Sequence, residues 1–141
     1  MIGRPLEGEH NPYYSKYISL VTEGELLAVL EKQPNEVREF VVRLSPDREN
    51  HRYAEGKWSV RQVIGHMTDA ERVFGYRAFR ISRGDETPLS GFDENLFVER
   101  SPYAGVPAKE LAEEFALVRA ANLAFFRQLD PSRWPLKGTA N

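Results

Sequence analysis

The sequence predicts an all-α protein. Apolar residues recur at spacings of three, four and seven in three long stretches, the signature of amphipathic helices. No segment alternates convincingly with period two, as a half-buried strand would. Prolines and glycines gather between the stripes, where they punctuate the chain. With 141 residues there is room for one domain and one core.

Residues 1–20, rich in glycine, proline and tyrosine, carry no helical or strand period and read as an arm anchored by Tyr13, Tyr14 and Tyr17. A first helix is predicted over residues 23–44, its stripe being Leu27, Leu30, Val37, Val41 and Leu44. Pro34 falls inside it, and a missing backbone donor there predicts a kink or split near Gln33. After a polar loop, Ser59 and Gln62 have the spacing of a capping box, with Trp58 and Val63 placed as a hydrophobic staple. That start predicts a second helix over 59–83, ended by Gly84, with a core stripe of Val63, Met67, Ala70, Phe74, Ala78 and Ile81. Residues 85–106 hold too many breakers for a long element, though 94–99 suit one short turn of helix; this is a long crossover. Pro107 opens a third helix over 107–129, marked by Leu111, Phe115, Val118, Phe125 and Leu129. The tail after it is too short for a fourth long helix.

Hydrophobic residues at 41% and charged residues at 28% are ordinary for a folded domain. Formal charge is −2 with basic residues dispersed, which argues against a nucleic-acid partner. No apolar run could cross a membrane, and no signal-peptide pattern opens the chain, so a cytoplasmic location is expected. The absence of cysteine excludes disulfides, thiolate ligands and a cysteine nucleophile from these residues. A metal would need nitrogen or oxygen donors, and the three histidines are His10, His51 and His66.

At about 100° per residue from Val63, the stripe of the second helix centres near +20° and His66 falls near −60°, the edge of the buried face. A boundary histidine satisfied by one hydrogen bond is the commoner case there; the functional reading is a metal ligand projecting into the bundle. Asp69 could orient or ligate but points further toward solvent. Asn122 interrupts the stripe of the third helix, where an unpartnered buried amide would cost about 1–3 kcal/mol. It reads as a register device, or as support for a polar site. Arg72, Arg77, Arg80 and Arg83, with Glu71 and Glu110 to Glu114, read as a solvated charged face. His10 and His51 read as surface residues. The chain has no phosphate-binding glycine loop, nucleophile elbow or His-Glu-x-x-His motif.

The run Gly56-Lys57-Trp58-Ser59-Val60-Arg61-Gln62-Val63-Ile64-Gly65-His66-Met67-Thr68-Asp69-Ala70-Glu71-Arg72, continuing to Tyr76-Arg77, resembles the second-helix signature of the DinB/YfiT-like family. The segments Glu9-His10-Asn11-Pro12-Tyr13-Tyr14 and Arg119-Ala120-Ala121-Asn122-Leu123, and the proline in the first helix, are similar to one branch of it. The resemblance implies a four-helix bundle with a long crossover and a divalent metal, zinc or nickel, held by three histidines. One ligand comes from the second helix, a role that falls on His66. The other two come from a His-x-x-x-His pair on a fourth helix that this chain does not contain, so the domain, residues 1–141, is expected to be C-terminally incomplete. A three-histidine site leaves positions open for water or a low-molecular-weight thiol. Family members are assigned as metal-dependent hydrolases and as thiol-dependent S-transferases of small-molecule substrates, and are often homodimers. The alternative reading is a non-catalytic, dimerising helical module that has lost the metal site.

Overall fold

The computed structural model describes residues 3–21 and 25–140. Its helices are α1 (Ser15–Ile18), α2 (Leu26–Val42), α3 (Val60–Ser82), α4 (Glu94–Arg100) and α5 (Ala108–Arg127). Single 3-10 turns at Pro12–Tyr14, Pro46–Arg48, Tyr103–Gly105 and Pro131–Arg133 punctuate the connections. Among the described residues the one β-type pairing is an isolated bridge between Leu89 and Ala140, which ties the tail to the crossover. The three long helices and the short one in the crossover lie where the sequence places them; the expected first residue of the first helix, Glu23, lies outside the described residues. In the arm, Tyr13, Tyr14 and Tyr17 pack against one another and stay about half exposed instead of anchoring on the bundle.

Pro34 does not divide α2, which runs as one helix through it. A proline at 34 cannot donate to the Leu30 carbonyl, so that acceptor is orphaned inside the helix. Arg119 of α5 supplies the missing donor: its Nη1 lies 2.9 Å from Leu30 O. The interruption is thus repaired by a side chain from another helix.

At the start of α3 the capping box forms as predicted, with Ser59 Oγ accepting from Gln62 N at 3.3 Å and Gln62 Oε1 accepting from Ser59 N at 3.0 Å. The helix stops just before Gly84, whose φ of 78° is costly for any residue with a Cβ. Pro107 immediately precedes α5 and offers no side-chain cap. Glu49, from the loop after α2, caps it instead, accepting from Ala108 N at 3.1 Å while paired with Arg61 at 2.6 Å.

α5 packs along both α2 and α3, whereas α2 and α3 scarcely touch each other. The three long helices therefore occupy three corners of a four-cornered bundle. The core gathers Val41, Ile64, Tyr103, Ala108, Leu111 and Ala112. On α3 the buried face is Ile64, Gly65, Thr68, Gly75 and Ser82, nearly a third of a turn from the predicted stripe. A Cβ on Gly65 would sit 2.3 Å from the Tyr103 ring and one on Gly75 would sit 2.3 Å from Asn122 Oδ1, so small residues are required where α3 meets its neighbours. The predicted apolar stripe instead looks toward the open corner. Val63 and Met67 line a groove of about 460 Å³ facing Val37 and Phe40 of α2. Val63 remains 43% exposed and Phe74 53% exposed. Periodicity identified a face that suits a fourth helix, while the face that α5 and the crossover cover is, Ile64 apart, made of residues too small to register as a stripe.

Candidate functional site

His66 projects from α3 at the rim of this structure's open corner. Its ring lies 4.7 Å from that of Trp58, the residue before the cap, at an interplanar angle of 47°. Trp58 also lines the apolar groove, so the imidazole is wedged between the groove and the crossover. The His66 side chain is 21% exposed, and Nε2 lies 4.0 Å from Glu94 Oε2 on α4, an ionic distance if the ring is protonated. Nδ1 is buried, with no hydrogen-bond partner among the described residues. The single-hydrogen-bond reading of a boundary histidine is therefore not what the geometry shows. His10, half-buried in the arm, contacts Ser15 Oγ through Nε2 at 3.2 Å and likewise has a buried Nδ1 without a partner among the described residues, whereas His51 is exposed and lines the groove.

Asp69, expected to point toward solvent, is instead covered by the crossover. Tyr103 donates its hydroxyl to Asp69 Oδ1 at 2.6 Å, and Arg72 approaches the same oxygen at 3.7 Å. Burial, then the bond to Asp69, pushes the Tyr103 phenol far above its ordinary range, so it remains a donor at any working pH. Arg72 is further bound by Glu114 of α5. This chain of contacts, crossover to α3 to α5, fixes the face of α3 on which His66 lies.

Deeper in the bundle, Glu71, Arg119 and Asn122 form a buried polar network. Asn122 Nδ2 donates to both the backbone oxygen and Oε2 of Glu71, each at 3.0 Å. Arg119 Nη2 donates to Glu71 Oε1 at 2.8 Å, and its Nη1 reaches Gln33 Oε1 at 2.6 Å as well as Leu30 O. Its Nε, 2.8 Å from Glu71 Oε2, is poorly aligned for a hydrogen bond, so that contact is ionic. The network joins all three long helices, which agrees with a register role for Asn122. Sequence reasoning missed Arg119 and Glu71 as its centre. The signal was present in Pro34, since a proline inside a helix leaves a carbonyl that some donor must meet.

Among the described residues, no group of three or more histidine, aspartate or glutamate side chains is arranged to hold a metal ion. What the geometry defines is a helical bundle with an open corner lined in part by His51, a crossover packed on one face of α3, and the His66 imidazole between Trp58 and α4.

The comparisons with known proteins agree with that class. The family model of the DinB superfamily matches residues 29–141, and the chain belongs to that superfamily. It is 31% identical over 93 residues to YfiT of Bacillus subtilis (strain 168), named as a candidate metal-dependent hydrolase. That match covers 65% of this chain, which spans about half, 51%, of the relative's length. The solved structure of YfiT from Bacillus subtilis, described as a probable metal-dependent hydrolase with an unusual four-helix bundle topology, superposes with a TM-score of 0.73. Identity there is 20%, over 96% of this chain and 73% of that one, so the likeness carries the fold. Among the described residues no helix is long and apolar enough to cross a membrane.

Proposed function

We propose that this protein works as a divalent-metal-dependent enzyme on small-molecule substrates, with His66 as one metal ligand. The observation that carries the reading is the orphaned, buried Nδ1 of His66 at the rim of the open corner. A neutral imidazole nitrogen without a partner is costly unless something binds it, and a divalent metal is a fitting acceptor of its lone pair. Glu94 lies against Nε2, the other nitrogen of the ring, so His66 Nδ1 supplies a single donor and no more. The remaining donors would come from a helix seated in the groove between α2 and α3. A bound zinc or nickel ion would supply Lewis-acid activation of water or of a low-molecular-weight thiol. The chain's own residues do the positioning: Trp58 holds the imidazole plane, and the Tyr103–Asp69–Arg72 contacts hold the face of α3 that presents it.

Metal analysis of the purified protein tests this. Near-stoichiometric zinc or nickel is expected in protein whose fourth corner is filled by a helix carrying the remaining donors, with His66→Ala losing the metal while its far-ultraviolet circular dichroism is unchanged. Full occupancy in His66→Ala removes His66 from the site. Turnover of ester and amide substrates, set against thiol–electrophile pairs, separates hydrolysis from thiol transfer. One observation favours a second reading. The exposed Phe40, Val63 and Phe74 form an apolar face that suits a homodimer of a non-catalytic module, and metal-free protein that is dimeric at micromolar concentration would support it.

A further inference from the structure

The crossover borders a second cavity, an open cleft of about 440 Å³ against the C-terminal half of α3. Its α3 wall presents Arg72, Tyr76, Arg77 and Arg80, and its crossover wall includes Ser90 and Phe92. Among the described residues lining it, three are arginines and none is acidic. The carboxylates that hold two of these arginines, Glu114 on Arg72 and Asp85 on Arg80, are not part of the lining. Arg80 donates to the Tyr76 hydroxyl, which leaves the phenolic proton to be donated elsewhere. Arg77 is fixed in the wall: its Nη2 donates to Ser90 O at 2.8 Å and its guanidinium lies 5.6 Å from the Phe74 ring centroid.

We propose that this cavity binds the anionic end, carboxylate or phosphate, of a small organic molecule whose apolar body lies on Phe92. Guanidinium groups match both anions through paired N–H donors, and the Tyr76 hydroxyl adds a further donor. The volume is that of small-ligand sites generally. The cavity also lies on the side of α3 that carries His66. On a helical wheel Val73, Arg77 and Arg80 fall within about 40° of His66. Val73, which lines the cavity, is about 10 Å along the helix from His66. The segment that walls the cavity runs from Phe92 directly into α4, where Glu94 faces His66. The cavity is thus the substrate's anion anchor, and its assignment as such rests on the metal-enzyme reading above, whereas anion binding itself does not.

The test uses chelator-treated protein, so that failure of the metal reading leaves this one standing. Phenyl phosphate, benzoate and neutral benzamide are titrated while backbone amide shifts are followed by NMR. Binding of either anion at least tenfold tighter than benzamide is expected, with shifts concentrated at residues 72–80 and 87–92; which anion binds tells phosphate from carboxylate. Arg77→Gln is expected to weaken that binding at least tenfold. Tyr76→Phe, which deletes one hydroxyl and spares the crossover contact of Arg77, is expected to weaken it two- to fivefold with an unchanged melting temperature. Equal binding of benzamide, shifts confined to other residues, or full affinity in a folded Tyr76→Phe together with a folded Arg77→Gln overturns the proposal.

Discussion

Replacing Arg119 with methionine removes at one stroke the donor to Leu30 O, the bond to Gln33 and the ion pair with Glu71. The Arg119 side chain is 7% exposed and that of Glu71 17%, so the mutation strands a largely buried carboxylate. Breaking a buried pair by deleting one partner costs about 3–5 kcal/mol, and the partial exposure of Glu71 places the expected loss near the lower end, about 3 kcal/mol. That is a large share of the roughly 5–15 kcal/mol that keeps a domain folded. Urea unfolding followed by circular dichroism measures it. Coupling to Pro34 makes the test specific. In a Pro34→Ala background residue 34 regains an N–H for the Leu30 carbonyl, so Arg119→Met should cost about 1 kcal/mol less there than in the parent. A single-mutant loss below about 1 kcal/mol, or a double-mutant cycle with no coupling, would refute the idea that Arg119 repairs the proline break.

Other outcomes follow from the same geometry. The Ala108 N–H, and after it Arg61, hold the Glu49 carboxyl below its ordinary value of 4.5. Its stabilising contribution is therefore complete above that value and is lost as pH falls through the lowered one, so Glu49→Gln should flatten the acid limb of a pH–stability profile. At neutral pH the same substitution should cost about 1–2 kcal/mol, read from urea midpoints, because Arg61 loses a charged partner. Gly65→Ala drives a Cβ into the Tyr103 ring and should cost about 1–3 kcal/mol while displacing the Tyr103–Asp69 bond, visible as a change in tyrosine fluorescence or aromatic NMR shifts.

The helices were legible because each carries a local cause. Ser59 and Gln62 fix the start of α3 through a cap that depends on four consecutive residues, and Gly84 fixes its end through a backbone angle. Which face of α3 is buried was not legible from periodicity. Hydrophobic patterning weights large side chains, and the buried face of α3 includes Gly75, on which Asn122 of α5 packs, Gly65, on which Tyr103 packs, and the small Thr68 and Ser82. The large residues Val63, Met67 and Phe74 describe a contact with a different neighbour. Read together, the two faces of α3 say more than either alone: one is shaped for α5 and the other for an element in the fourth corner, in keeping with the four-helix bundle of the structural relative.

The site divides in the same way. The position of His66 at the edge of a stripe follows from helical phase, and the phase is a local property. Its surroundings are not local. Trp58 approaches because the cap turns the chain back toward α3, and Glu94 approaches because the crossover places α4 beside it. The arginines of α3 show the same limit more sharply. Spacing alone makes Arg72, Arg77 and Arg80 a solvated charged stripe, and charge counting cannot distinguish that from a binding wall. The crossover decides it. By laying Ser90 and Phe92 beside them it converts a row of cations into the lining of an open cleft, with Glu114 and Asp85 committed to holding two of the arginines in place. A crossover rich in proline and glycine carries little periodic signal, so the segment least readable in the sequence shapes both the histidine rim and the arginine cavity.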